Sequence, residues 1–152
     1  MKGTGLKMEQ GTTKKLEEVL LNLDKQDDLE EYLNDEEAVN KYKSISEYFN
    51  KEIEKSGYSV AEIIKNSGIE RTYAYQILNG TRNNPGKDKI IRLCLGAKLG
   101  VKETIRALEI AGSGTLYARD KRDVIILFSI NNKCTVEDTN ILLDQFACEI
   151  LK

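Results

Sequence analysis

The chain has 152 residues, room for one compact core or a small domain with appendages. Hydrophobic residues make up 40% and charged residues 32%, and no apolar run reaches the ~18 residues that a membrane span requires. There is no histidine, which excludes imidazole-based triads, general bases and imidazole metal sites.

The formal net charge is −2, but the charge is segregated. Residues 1–55 carry nine Lys against fourteen Asp and Glu, a net −5. Residues 56–102 carry eight basic and three acidic side chains, a net +5. Residues 103–152 return to a net −2. A basic middle between acidic ends suits phosphate contact, because Lys and Arg displace condensed counterions. Cys94, Cys134 and Cys148 are odd in number and far apart, as expected of reduced thiols in a cytoplasmic protein. No Cys-x-x-Cys pair exists, so no structural zinc site is expected. The Gly3-Thr4-Gly5 and Gly112-Ser113-Gly114 stretches follow no strand and are not phosphate loops. These exclusions predict a non-enzymatic protein with no cofactor and no metal.

In chain order, the first ten residues have no pattern and are expected to lack order. From Thr13, Leu16, Val19, Leu20 and Leu23 recur at helical spacing. A second acidic helix is predicted around Leu29, Tyr32 and Leu33. Both are amphipathic, so the main domain or a second copy must cover them. Residues 1–43 therefore read as an acidic helical arm, whose charge also suits it to mask the basic module. Ser44 and Glu47 have capping-box spacing and start a helix with Ile45, Tyr48, Phe49 and Ile53 inward, ended by Gly57. Ser59 and Glu62 repeat the pattern before a short helix that stops near Gly68. The next helix is predicted from about Glu70 to Asn79. Helices follow at about 87–98 and 102–111, completing a domain over 44–112. A joint at 113–115 leads to a C-terminal pair at about 119–131 and 136–150, within a helical hairpin over 113–152. That hairpin resembles the preceding one at an offset of 35 residues: Asp88, Ile90, Ile91, Lys98, Val101, Thr104 and Leu108 align without a gap on Asp123, Ile125, Ile126, Lys133, Val136, Thr139 and Leu143.

Residues 59–80 read SVAEIIKNSGIERTYAYQILNG. Two short helices joined so tightly must cross steeply, as in a helix-turn-helix. Ile63, Ile64, Ala74, Ile77 and Leu78 then face inward, and Arg71, Thr72, Tyr75 and Gln76 face outward. Those four can read base edges: Arg suits guanine, Gln adenine, and Thr or Tyr a thymine methyl. Tyr73 and Tyr75 also suit packing against the N-terminal helices.

The stretch resembles the Cro/lambda-repressor-like helix-turn-helix family of bacterial transcriptional regulators (the XRE type). The likeness rests on Ser59, Glu62-Ile63, Gly68 and Asn79-Gly80, extends through Arg82, Asn84-Pro85 and Ile90-Ile91, and covers about residues 44–111. RTYAYQILNGTR and the C-terminal pair resemble more closely a group of bacterial helix-turn-helix proteins of this length. The resemblance implies an all-α, five-helix DNA-binding domain, here with acidic N-terminal helices and a C-terminal helical hairpin. It implies base contacts from Arg71, Thr72 and Gln76, with Tyr75 beside them. It implies phosphate contacts from Ser59, Asn79, Arg82, Lys87 and Lys89. Double-stranded DNA is the implied partner, bound by a homodimer on two half-sites. The chain departs from the family in exchanging sizes at Ile64 and Ala74, and in placing Glu70 where phosphates approach. The acidic N-terminal arm, Glu70, and Val60 where the family often has Gln motivate the alternative, a protein-interaction adaptor that keeps the fold without binding DNA.

Overall fold

The computed structural model describes residues 15–23, 25–34, 44–82 and 84–152, and among them every regular element is a helix. The patternless first ten residues and the helix start at Thr13 lie outside the described residues. The chain divides into two compact units, Met1–Tyr42 and Lys43–Lys152. In the first, α1 is helical over residues 15–21 and α2 spans Gln26–Asn34. No residue of α2 is buried, and Val19, Leu20, Leu29 and Leu33 are exposed.

The second unit holds α3 (Ile45–Ser56), α4 (Val60–Ser67), α5 (Arg71–Leu78), α6 (Lys87–Gly96), α7 (Val101–Ala111), α8 (Lys121–Asn131) and α9 (Val136–Gln145). Polar side chains set the helix starts. Ser44 Oγ accepts from the Glu47 N–H, and Ser59 and Glu62 close a full capping box. Asp120 caps α8 through the Asp123 N–H, and Thr135 caps α9 through the Asp138 N–H. The core is built by Phe49, Ile63, Ile77, Ile90, Leu93 and Leu108, joined by Ile126, Ile130 and Leu143 from the last two helices. The predicted inward faces of α3, α4 and α5 are buried, and so are both members of the exchanged pair, Ile64 and Ala74. Cys94 is fully buried beside Thr104, and burial pushes its thiol up to about 12, so it stays protonated and inert.

α4 seats on α6 with its backbone nearly touching. A Cβ at Gly96 would stand 2.7 Å from the Ile63 carbonyl oxygen and 2.9 Å from the Ser67 nitrogen. Only glycine permits this approach.

The two hairpins, α6–α7 and α8–α9, repeat each other in detail. Lys98 and Lys133, 35 residues apart, both adopt left-handed backbone, with φ 58° and 56°. Lys98 Nζ donates to the Lys133 carbonyl at 2.9 Å, and Lys133 Nζ donates to the Lys98 carbonyl at 2.9 Å. Lys87 pairs with Asp123, and Arg122 pairs with Asp88. The Tyr117 N–H donates to Asp123, and the Lys152 N–H, 35 residues on, donates to Asp88. Each of these contacts is thus made twice with the partners exchanged, which is how surfaces meet about a twofold axis. Here both halves belong to one chain.

This duplication corrects the predicted end of the last helix. α9 stops at Gln145, five residues short of position 150. Ala147 takes φ 60°, as Gly112 takes 66° in the first copy, and the chain turns back. Leu151 is buried as Leu116 is in the first copy, with its N–H on Asn140. The apolar spacing that suggested a longer helix belongs to this returning segment.

Two outcomes are expected in denaturant unfolding. Gly96→Ala should lose about 1–3 kcal/mol, because two backbones must separate. Gly86→Ala, where an added Cβ meets nothing within 4 Å, should stay within about 1 kcal/mol of neutral, because reduced unfolded-state freedom is offset by the loss of a glycine favoured at the N-cap of α6. Asp88 is partly desolvated, which raises its carboxyl, but the Arg122 hydrogen bonds and the Lys152 N–H outweigh this and hold it below the usual range. Its folded form is the more acidic, so its stabilisation is complete above the unfolded carboxylate range and is lost as pH falls through and below about 4. Asp88→Asn should flatten that part of the stability–pH curve.

Candidate nucleic-acid interface

Three anchors hold α5 in place. Its inner face, Ala74, Ile77 and Leu78, is buried. At its C-terminal end the Leu78 carbonyl accepts from Ser46 Oγ at 2.6 Å and from Asn50 Nδ2 at 3.0 Å, both on α3. At its N-terminal end Glu70 accepts from the Tyr73 N–H at 2.9 Å. Glu70 is therefore the cap of α5, and part of its negative charge is taken up by the helix end.

The turn between α4 and α5 is equally constrained. Gly68 has φ 68° and donates its N–H to the Lys65 carbonyl. Buried Ser67 donates its Oγ to the Ile64 carbonyl and accepts from the Ile69 N–H. Arg92 on α6 donates from Nη1 to the Ser67 carbonyl and from Nη2 to the Leu151 carbonyl. One guanidinium thus ties the turn to the returning C-terminal segment.

The outer face of α5 is open. Arg71, Thr72 and Tyr75 are exposed, and the Arg71 guanidinium lies 5.6 Å from the Tyr75 ring centre. A groove of about 580 Å³ runs beside them, lined by Ala61, Ile64 and Lys65 of α4, the turn, and Arg71 and Tyr75. Gln76, the fourth predicted base contact, is half-buried, and its Oε1 accepts from Arg82 Nε at 2.8 Å.

The predicted phosphate contacts divide by their partners. Ser59 is exposed in its capping box, where its Oγ also donates to Glu62. Asn79 is exposed, and its Oδ1 accepts from the Thr81 N–H, which shapes the turn toward Arg82. Arg82 is exposed and Lys89 is half-buried; both lie over the Tyr73 ring, at 4.2 Å and 5.6 Å from its centre. Lys89 Nζ also donates to the Lys152 carbonyl. Lys87 is engaged with Asp123 at 3.1 Å, on the seam between the hairpins.

Comparison of the chain with protein-family models, curated proteins and solved structures gives no match. Among the described residues no group of three or more Cys, Asp and Glu side chains is placed to hold a metal ion, and no helix is long and apolar enough to cross a membrane.

Sequence reasoning missed three contributors. Tyr73 carries two cations; only its spacing from Arg82 hinted at a role. Arg92 is a polar residue within the otherwise buried run 90–97 of the sequence, a signal that was present. Gly96 reads in sequence as an unremarkable helical glycine. Removing the cap should expose its role: Glu70→Ala should cost about 1 kcal/mol of stability, measured by urea denaturation, and Glu70→Asp should recover most of it.

Proposed function

We propose that α3 to α7 form a Cro/lambda-repressor-like helix-turn-helix domain, and that the chain is a sequence-specific DNA-binding transcriptional regulator. The observation that carries this reading is the two-sided character of α5. One side is buried and hydrogen-bonded to α3, and the other offers Arg71, Thr72 and Tyr75 together to solvent. A rigid helix with exposed donors along one face is suited to the major groove, where side chains meet base edges. Arg82 and Lys89 supply the adjoining positive charge for the backbone. Glu70 fits this role because its carboxylate caps the helix. Two copies on two half-sites would double the contact, as in regulators that this domain resembles.

The groove beside α5 favours a second reading. Ala61, Ile64 and Ile69 give it an apolar floor, suited to a segment of another protein. In that reading the chain is a non-enzymatic adaptor.

Titration of random duplex DNA at two salt concentrations separates the two. A regulator loses affinity steeply as salt rises, and an adaptor binds little duplex at either concentration. Against a site selected from the random pool, Arg71→Ala should weaken binding by about 1–3 kcal/mol while leaving helicity unchanged by circular dichroism. Affinity for unrelated duplex should change far less, since a base-reading side chain contributes little there. Equal losses on both would remove Arg71 from the reading face.

A further inference from the structure

Tyr73 lies at the inner edge of the exposed face of α5, half-buried, with two cations over one ring. Arg82 reaches it from the loop after α5 and Lys89 from the first turn of α6. The ring face is electron-rich and attracts a cation within about 6 Å. Lys89 is held as well by the Lys152 carbonyl, to which its Nζ donates, and an ammonium has three donors, so this bond leaves it others. Gln76 completes the arrangement. Its Oε1 takes the Nε hydrogen of Arg82, and its own main-chain carbonyl accepts from the Arg82 N–H at 3.0 Å. Among the described residues, the terminal Nη groups of Arg82 have no hydrogen-bond partner. The guanidinium is thus fixed by its inner side and open at its outer fork.

We propose that Tyr73 and Gln76 are positioning residues of a two-cation clamp, in which Arg82 and Lys89 together grip a backbone phosphodiester of duplex DNA. This rests on the DNA-binding reading above and deepens it. A phosphodiester presents two anionic oxygens, which suit the paired Nη donors of a guanidinium, and an ammonium adds a point charge beside them. The geometry also changes the role of Gln76. Bidentate recognition of adenine needs both its Oε1 and its amide nitrogen. With Oε1 held by Arg82, Gln76 serves the backbone grip. Sequence reading then falls to Arg71, Thr72 and Tyr75, and the clamp sets how deep and in what register α5 lies in the groove.

The test uses the full chain and fluorescence anisotropy on two duplexes, one selected from a random pool and one unrelated, over a series of salt concentrations. Tyr73→Leu keeps bulk and loses the π face; Tyr73→Phe keeps the face. The Leu variant should bind both duplexes roughly tenfold more weakly, as two weak cation–π contacts are lost. Its slope of log affinity against log salt should flatten by about one to two, for one or two phosphate contacts given up. The Phe variant should match the wild type on both measures, and Gln76→Ala should weaken both duplexes alike. In the free protein, the Arg82 Nε–H proton should show a ring-current shift in wild type and Tyr73→Phe that vanishes in Tyr73→Leu. Wild-type binding with Tyr73→Leu unchanged, a loss confined to the selected site, or equal losses in Leu and Phe would each overturn the clamp and leave the DNA reading standing. Failure of the wild type to bind either duplex would overturn the DNA reading itself, and the clamp with it.

Discussion

At Gly96 the backbone of α6 lies against that of α4 with no side chain between them. That approach fixes where α4 ends, and the turn after it follows. Arg92, one turn before Gly96, reaches the Ser67 carbonyl only because the two helices are so close. Ser67 in turn holds Ile69, and Ile69 leads into the cap at Glu70. The direction of α5, and so of Arg71 and Thr72, is inherited through this chain of short contacts from a missing Cβ. The inheritance is rigid, because packed backbones cannot drift as long side chains can.

The foundation beneath α6 is the second hairpin. α6 carries the turn through Arg92 and carries Lys89 beside Tyr73, and its first turn is clamped from below by Asp88 with Arg122 and by Lys87 with Asp123. These pairs are only partly exposed, and the Arg122–Asp88 bridge is bidentate, the geometry in which ion pairs best fix orientation. Their main contribution is positional. They hold one end of α6 while Gly96 holds the other.

Much of this was legible in the residues, and the boundary of legibility is physical. Local capping was readable: Ser44, Ser59 and Thr135 each cap the predicted helix, because the interaction spans three residues and needs no tertiary context. The 35-residue offset was readable too, and it pairs Lys98 with Lys133 and Asp88 with Asp123, residues that turn out to share cross-contacts. What the offset could not convey was that the copies face each other. The end of α9 was misplaced because an apolar segment folding back has the same composition as one continuing a helix; only the left-handed Ala147 distinguishes them. On the candidate interface, exposure of Arg71, Thr72 and Tyr75 follows from helical phase alone. The capture of Gln76 by Arg82 depends on a loop conformation six residues away, and no periodicity encodes that.

The reciprocal lysines have a last consequence. Each hairpin presents to the other the surface that, in a free half, would have sought an identical neighbour, and here the search ends within the same polypeptide. Self-recognition along this seam is therefore already saturated and independent of how concentrated the protein is. Whatever brings two whole molecules together must use faces that the duplicated halves leave unspent, and changes at the seam should alter the steadiness of one molecule without altering its tendency to associate.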